Sequence, residues 1–338
     1  MRVLITGGSG FVGQHVVQAL KSQHELWMPT RKELDLLETS PSELECDLFH
    51  YHIDAIVHLA ATCGGIGINK DNPGKFIYDN LQMGINVLEA ARQAKIAKVV
   101  NLGTVCAYPK YTPVPFQEKD FWNGYPEETN APYGIAKKTI MEMGIAYSRQ
   151  YGMNITNLVP ANMAGEYDHF DLYSSHVVPA IIKKFENPER ATRRRSCRCI
   201  CHTPGSQVMH VVNCCDANGL VRGTKTINAV RLWGTGKASR EFLYAGDCAR
   251  AIVLSLEKDT GPEPINLGTG HEITIRDLAE TVKRIGGYDA EIVWDSTKPD
   301  GQPRRSLDTS RAKEVLGWEA MTSLETTIDK TIAWYRQQ

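Results

Sequence analysis

The sequence predicts an α/β fold in which a doubly wound parallel sheet is followed by a smaller α/β lobe. Three observations support this prediction. Short β-branched apolar runs alternate with helix-spaced apolar residues through roughly the first 160 residues. A glycine-rich turn follows the first of these runs and opens a helix, an order typical of Rossmann-type sheets. The second half is less regular, which is why we assign it to a separate lobe.

Each element of the first half follows from its hydrophobic pattern. The run Ala55–Leu59 is short and almost wholly apolar, as expected for a strand that is buried on both faces. Val12, Val16 and Leu20 repeat at helical spacing, as expected for a helix that packs one face on a sheet. Further helices are predicted over about 76–94 and 133–151. The predicted strands are Val3–Thr6, Glu25–Met28, Ala55–Leu59, Val99–Leu102 and Ile155–Val159.

The second half contains fewer regular elements. The segment Arg190–Thr226 fits neither half, because it combines a basic cluster and several cysteines with poor periodicity. We therefore divide the chain into a dinucleotide-binding domain, 1–165, and a substrate-binding lobe, 166–338, with an atypical Cys/Arg-rich insertion at 190–226. The elements predicted in this lobe are helices at Val177–Phe185, Ile275–Ile285 and Leu324–Arg336, and strands at Ala229–Trp233, Pro264–Leu267 and Glu291–Trp294.

Composition excludes several classes of protein. The 338 residues are 42% hydrophobic and 23% charged, an ordinary globular balance. Lys+Arg is 38 against Asp+Glu 39, so the basic surplus of a non-specific nucleic-acid binder is missing. No apolar run approaches the roughly 20 residues that cross a bilayer. The first residues lead directly into a strand without a signal peptide, so we expect a cytoplasmic protein that makes no membrane contact.

The glycine-rich turn predicts a dinucleotide site. Glycines at positions 7, 10 and 13 allow a tight turn and let backbone N–H groups approach a pyrophosphate at the helix N-terminus. The strand before the turn and the helix after it make this pattern specific. The residues expected to contact the cofactor here are Gly7, Gly8, Ser9, Gly10, Phe11, Val12 and Gly13.

The end of the second strand indicates which dinucleotide binds. NAD enzymes usually place an acidic residue there to hold the ribose diol, but this chain reads Met28-Pro29-Thr30-Arg31-Lys32. Arg31 is placed to pair with a 2′-phosphate, which favours NADP, used as NADPH. Because one residue carries this prediction, NAD stays open.

A Tyr-x-x-x-Lys pair predicts proton-transfer chemistry. Tyr133 and Lys137 share one face of a predicted helix, and Thr104 lies near the end of the preceding strand. A nearby cation favours the phenolate, so we expect Lys137 to lower the pKa of Tyr133.

At these residues the chain resembles the extended short-chain dehydrogenase/reductase family, and within it the GDP-L-fucose synthases. The resemblance covers essentially the whole chain except the insertion. The motifs that carry it are Leu102–Lys110, Gly64–Asn69, Asn130–Lys137, Ser175–Ala180, Trp233–Leu243 and Lys298–Pro303.

The resemblance implies conversion of GDP-4-keto-6-deoxy-D-mannose to GDP-L-fucose. C3 and C5 are epimerised, and NADPH then reduces the C4 ketone. Cys106 and His176 match the family's acid/base pair for the epimerisations. Tyr133 would supply the proton to O4, Lys137 would hold the nicotinamide ribose, and Thr104 would hydrogen-bond the ketone.

The resemblance also implies the remaining contacts and the assembly. The helix with the Tyr-Lys pair would form a homodimer. The expected substrate contacts, with the GDP-sugar as partner, are Asn162, Lys184, Trp233, Arg240 and Asp300. The expected cofactor contacts, besides the glycine turn and Arg31, are Leu102, Gly103, Thr104, Val105, Tyr133, Lys137, Pro160, Ala161, Asn162, Met163 and His176.

Three departures from the family pattern keep alternatives open. Thr104 replaces a serine, and Pro160–Glu166 replaces the usual Asn-Leu-Tyr-Gly-Pro turn, so the sugar is less certain than the reaction type. The insertion at 190–226 has cysteine and histidine spacing unlike a zinc knuckle, so we predict no metal site. A related nucleotide-sugar 4-ketoreductase or epimerase, and a dinucleotide-binding regulator without catalysis, are the alternatives.

Overall fold

The computed structural model describes residues 1–194, 201–202, 209–210, 224–298 and 300–338. The strands are β1 (Arg2–Thr6), β2 (Glu25–Trp27), β3 (Ala55–His58), β4 (Lys98–Leu102), β5 (Ile155–Pro160), β6 (Asn162–Ala164), β7 (Glu189–Arg194), β8 (Cys201–His202), β9 (Met209–His210), β10 (Thr224–Trp233), β11 (Ser239–Tyr244), β12 (Ile265–Leu267), β13 (Glu272–Thr274) and β14 (Glu291–Asp295). The α-helices are α1 (Phe11–Leu20), α2 (Pro41–His50), α3 (Ile66–Asp71), α4 (Pro73–Gln93), α5 (Ala131–Tyr151), α6 (Val177–Glu186), α7 (Ala245–Glu257), α8 (Ile275–Gly286), α9 (Ser310–Leu316) and α10 (Leu324–Tyr335).

A six-stranded parallel sheet forms the centre of the first half, in the order β12-β5-β4-β3-β1-β2. Every residue of β3, β4 and β5 is buried, including the polar Lys98, Asn101 and Asn157, so these strands lie in the interior of the sheet. The strand order reverses between β1 and β3, and ligands of open α/β sheets bind at such a point, beyond the carboxyl ends of the strands. The predicted doubly wound parallel sheet is confirmed.

Helices cover both faces of this sheet because successive side chains of a strand point to opposite sides. Val3 and Ile5 of β1 belong to one apolar cluster, together with residues of α1 and α7. Leu4, between them, belongs to the other cluster, with residues of α2, α4 and α5. The two layers fix the sheet, and with it the loops at its carboxyl edge.

The second half forms two smaller sheets with their own helices. Their strand orders are β14-β10-β7-β9-β8 and β13-β11-β6. A third apolar cluster joins α6, α8 and α10 through residues such as Ile182, Leu278 and Ile328. However, β12 extends the central sheet and α7 packs on it, although both lie beyond residue 165. The division at residue 165 stays a prediction, and any such division has to give β12 to the first domain.

The predicted elements match the structure closely, but several elements were not predicted. The long helices begin slightly earlier than predicted, at Pro73 and Ala131. The helices α2, α3, α7 and α9 were not predicted, nor were the short strands β6, β7, β8, β9, β11 and β13. Among the described residues, no helix combines the length and apolar character needed to cross a membrane. Most of the segment between Arg194 and Thr224, where the sequence analysis considered metal ligands, lies outside the described residues.

Candidate active site

The glycine turn after β1 fits a dinucleotide. Gly7 has φ +71°, and a Cβ there would lie 2.8 Å from the Ala60 nitrogen, so only glycine is unstrained. A Cβ on Gly13 would lie 2.2 Å from the Gly7 carbonyl oxygen. Gly10 is the N-cap of α1 and has no side chain with which to cap the helix. Backbone N–H groups of the first turn are therefore available to an anionic ligand such as a pyrophosphate.

Arg31 lies on the surface just after β2. Its side chain is 69% exposed, and its Nε donates to Asp35 Oδ2 at 3.0 Å. An exposed pair of this kind stabilises little, about 0–1 kcal/mol, so it can open for a phosphate ligand. Asp35 is a partner that the sequence analysis missed.

The other predicted cofactor residues lie at the carboxyl edge of the sheet. Leu102 is the last residue of β4, and residues 103–105 follow it. Pro160 is the last residue of β5, and residues 161–163 lead into β6. Lys137 Nζ donates to the Leu102 carbonyl oxygen at 3.0 Å, and the Gly103 N–H donates to the Leu158 carbonyl oxygen at 2.7 Å. Burial lowers the pKa of Lys137 to about 8.

Tyr133 lies at this edge, but its pKa shifts opposite to the prediction. Burial raises the pKa of Tyr133 well above its usual value, and the thiols of Cys63 and Cys106 raise it further. A hydrogen bond with Thr104 lowers it by less. The expectation that Lys137 lowers this pKa was wrong, because desolvation of the phenolate outweighs the opposing effects. A phenol that stays protonated is a proton donor.

Cys106 lies beside Tyr133 and contacts an arginine from far along the chain. The Cys106 N–H donates to Thr104 Oγ1 at 3.2 Å. Arg305 Nη1 donates to Cys106 Sγ and to Asn162 Oδ1, both at 3.4 Å. Arg305 is 6% exposed. The structure therefore brings together Thr104, Cys106, Tyr133 and Asn162, as the sequence analysis expected, and adds Arg305.

The position of His176 depends on a second glycine pair. Gly64 and Gly65 pack against the backbone of residues 174–175, where a Cβ on Gly65 would lie 2.5 Å from the Ser175 carbonyl oxygen. His176 is the N-cap of α6, and its Nδ1 lies 3.5 Å from Asp168 Oδ1.

Asp168 sets the charge of His176. Desolvation lowers the pKa of His176, but the hydrogen bond and the negative charge of Asp168 raise it by more. The net pKa is above the usual value, which favours the imidazolium form. Asp168 is itself buried, and its Oδ2 has no hydrogen-bond partner among the described residues.

The expected substrate residues form a basic and aromatic surface next to this site. Trp233 is 49% exposed. The Nζ atoms of Lys184 and Lys298 lie 5.9 and 5.5 Å from the centre of its indole ring. Burial lowers the pKa of Lys184. The exposed ring between two cations is suited to stacking on a planar, negatively charged ligand.

Arg240 and Asp300 are linked to each other. Arg240 is 9% exposed, and its Nη2 donates to the Asp300 carbonyl oxygen at 3.4 Å. The Asp300 carboxylate accepts from the N–H and the hydroxyl of Thr235, both at 2.7 Å. Asp300 therefore holds the turn after Trp233, and its role as a direct substrate ligand stays a prediction.

Sequence reasoning missed Arg305, Asp168 and Cys63 as residues of the site. Arg305 and Cys106 are 199 positions apart, and Asp168 follows an irregular turn. These residues are distant from the site in sequence and meet it only in the folded chain, so no local sequence pattern identifies them.

Comparison with known proteins places this chain in a family. The model of the NAD dependent epimerase/dehydratase family matches residues 3–268, and that of GDP-mannose 4,6 dehydratase matches residues 217–331. A GDP-L-fucose synthase of Sinorhizobium fredii is 35% identical over 98% of this chain and 94% of its own. A GDP-L-colitose synthase of Yersinia pseudotuberculosis is 34% identical, over 99% and 98%. A solved GDP-mannoheptose C4 reductase from Campylobacter jejuni with NADP bound is 25% identical, with a TM-score of 0.78 over 99% and 98% of the two chains.

Proposed function

The chain belongs to the NAD dependent epimerase/dehydratase family, and we propose that it is an NADPH-dependent epimerase-reductase that converts GDP-4-keto-6-deoxy-D-mannose to GDP-L-fucose. Family membership confirms the predicted class of enzyme, one that uses an NAD(P) cofactor and acts on a nucleotide sugar. The observation that supports the finer proposal is that Cys106, Tyr133 and Lys137 lie at one edge of the sheet, where Cys63 interacts both with Tyr133 and with Asp168, the partner of His176. Cys106 and His176 would serve the epimerisations, and Tyr133 and Lys137 the reduction.

The epimerisations require a base and an acid on opposite faces of the sugar. Carbon-bound protons next to the ketone are acidic because the enolate is delocalised. Cys106, beside the cationic Arg305, is suited to accept such a proton as a thiolate. His176, held toward its protonated form by Asp168, is suited to return a proton on the other face.

The reduction requires a proton for O4. The Tyr133 hydroxyl is protonated at neutral pH and would donate to O4, while Thr104, which hydrogen-bonds Tyr133, would hold the ketone oxygen. When bound, NADPH supplies the hydride to C4. Lys137, which donates to the Leu102 carbonyl oxygen, would orient the nicotinamide ribose.

The fit of the cofactor rests on the glycine turn and on Arg31. Gly7 and Gly13 let the turn pack closely against the backbone of Ala60 and of Gly7–Gly8, and the first turn of α1 offers its N–H groups to a pyrophosphate. Arg31 would pair with the 2′-phosphate after leaving Asp35. The NADP in the Campylobacter reductase supports this choice.

The GDP moiety would lie on the basic and aromatic surface. Trp233 would stack on the base, and Lys184 and Arg240 would face the phosphates. Asn162 would contact the sugar, next to Cys106.

Turnover in deuterated buffer tests the proposal. GDP-4-keto-6-deoxy-D-mannose is supplied with NADPH, and separately with NADH, while cofactor oxidation and deuterium in the product are followed. Oxidation of NADPH with label at both C3 and C5 is the expected result. In Cys106→Ser and His176→Asn variants the label should fall by about 10²- to 10⁴-fold, as for loss of a general acid or base.

A C4 reductase without epimerisation is the second candidate. The resemblance to the Campylobacter C4 reductase and the altered turn Pro160–Glu166 favour it. Oxidation of NADPH without label at C3 or C5 would establish this candidate and remove Cys106 and His176 from the proton transfers.

We also propose that the protein is a cytoplasmic homodimer. An apolar surface beside α5 supports the homodimer, since Ile135, Met143 and Ala146 line a shallow depression next to the 40% exposed Trp122. Sedimentation of the wild type and of Ala146→Arg tests it. A dimer that becomes monomeric in the variant is expected, and a monomeric wild type would contradict the proposal.

A further inference from the structure

Arg305 is a buried cation that no carboxylate neutralises among the described residues. Its side chain donates to three neutral groups: Gln302 Oε1 at 3.0 Å, Asn162 Oδ1 at 3.4 Å and Cys106 Sγ at 3.4 Å. Burial of an unpaired charge costs several kcal/mol, so such a site favours a nearby anion. Of the three partners, only the thiol of Cys106 can become an anion near neutral pH.

The position of Arg305 is fixed independently of Cys106. Gln302, 4% exposed, accepts from Arg305 Nε and donates through Nε2 to the Lys110 carbonyl oxygen at 2.8 Å. This bond ties the segment of Arg305 to the loop that carries Cys106. The guanidinium is therefore held against the sulfur by the fold and does not depend on a bound substrate.

Charges of both signs lie near Cys106. Arg240 lies close by, and desolvation, followed by the charge of Arg305, lowers the pKa of Arg240 to about 10. The charge of Cys106 opposes that shift. Glu127 and Glu272 also act on Arg240, but Glu127 accepts from Thr129 Oγ1 and Glu272 is bound by Arg304. Tyr133 faces the sulfur as a neutral phenol.

We propose that Arg305 is a positioning residue for Cys106, which holds the sulfur in place and stabilises it as the thiolate before substrate binds. The use of that thiolate in epimerisation rests on the proposed function. There the thiolate accepts a carbon-bound proton and becomes a thiol, and Arg305 keeps its own protons. The thiolate itself is a property of the free enzyme, so it can be measured without substrate.

Alkylation of the free enzyme by iodoacetamide tests the proposal, because the thiolate is the reactive form. Tryptic cleavage after Lys98 and Lys110 places Cys106 alone in fragment 99–110, apart from Cys46 and Cys63. The rate of alkylation of this fragment is followed by mass spectrometry from pH 6 to pH 10. Cys46, exposed on α2, gives a reference rate in the same sample, with its label assigned by peptide fragmentation because fragment 33–70 also holds Cys63.

Arg305→Met should slow alkylation of Cys106 about tenfold at pH 7.5 and move the midpoint of its pH profile upward by about one pH unit, the loss of one charge-assisted hydrogen bond. Arg305→Lys should restore part of the rate, because the charge is kept without the fork geometry. The matched control is Arg304→Met, since Arg304 is exposed and pairs with Glu272. That variant should leave the profile unchanged.

An unchanged rate and midpoint in a folded Arg305→Met would overturn the proposal. If that variant does not fold, Gln302→Ala decides, because it releases Arg305 Nε without touching Cys106. Slower alkylation in Gln302→Ala supports the proposal, and an unchanged profile overturns it. If the enzyme makes no GDP-L-fucose, the proposed function fails, but these rates still report on Arg305.

Discussion

Gly134 connects the packing of the fold to the geometry of the site. It lies in the first turns of α5, next to Tyr133. A Cβ at this position would lie 2.4 Å from the Cys106 carbonyl oxygen and 3.0 Å from its carbonyl carbon. Ordinary contact begins at 3.4 Å, so a Gly134→Ala variant has to move the Cys106 loop by about 1 Å.

The expected cost has two parts. Overpacking of this kind destabilises by about 1–3 kcal/mol, partly offset by up to about 1 kcal/mol of helix propensity gained by alanine. Because the loop carries Thr104 and Cys106, a displacement of about 1 Å should also lower the rate of reaction about 10²-fold.

Urea unfolding and turnover measure the two effects. Gly74→Ala is the matched control, since Gly74 also lies in the first turn of a helix, α4, and its Cβ would meet nothing within 4 Å. The control should be as stable as the wild type or slightly more stable, and fully active. If Gly134→Ala behaved like Gly74→Ala in both assays, the tight contact between α5 and the Cys106 loop would be refuted.

Three other predictions concern single side chains. Tyr133→Phe should slow NADPH oxidation by about 10²- to 10⁴-fold with the Kd for NADPH unchanged, measured by fluorescence titration. Trp318→Ala should cost about 3–5 kcal/mol in urea unfolding, because Trp318 is fully buried and donates to the Asp247 carbonyl oxygen; an unchanged midpoint would contradict this. Burial lowers the pKa of Lys98 to about 8 in the folded protein. The unfolded chain therefore binds more protons between pH 8 and 10.5, and wild-type stability relative to Lys98→Met should rise over that range by up to about 3 kcal/mol.

Local pattern was sufficient for the framework of the protein. Gly7–Gly13 after β1 and the Tyr133–Lys137 pair on α5 are readable because each depends on residues within a few positions of each other. The strands of the central sheet are readable for the same reason, since apolar residues predominate in these buried strands.

Elements without such a pattern were missed. The helix α2 begins at a capping box between Ser40 and Glu43. The sequence contains this signal, but a prediction from apolar periodicity does not use it. The strand β12 was predicted, at Pro264–Leu267, but only the sheet order shows that it joins β5 rather than the second lobe.

Tertiary structure alone decided the electrostatics of the site. Arg305 reaches Cys106 across 199 positions, and Asp168 reaches His176 from a separate turn. The i,i+4 spacing of Tyr133 and Lys137 suggested a lowered tyrosine pKa, yet burial raises it. The sequence by itself determined which chemical groups the protein has and which local elements hold them. Their charge states depend on desolvation and on distant partners, which exist only once the chain has packed.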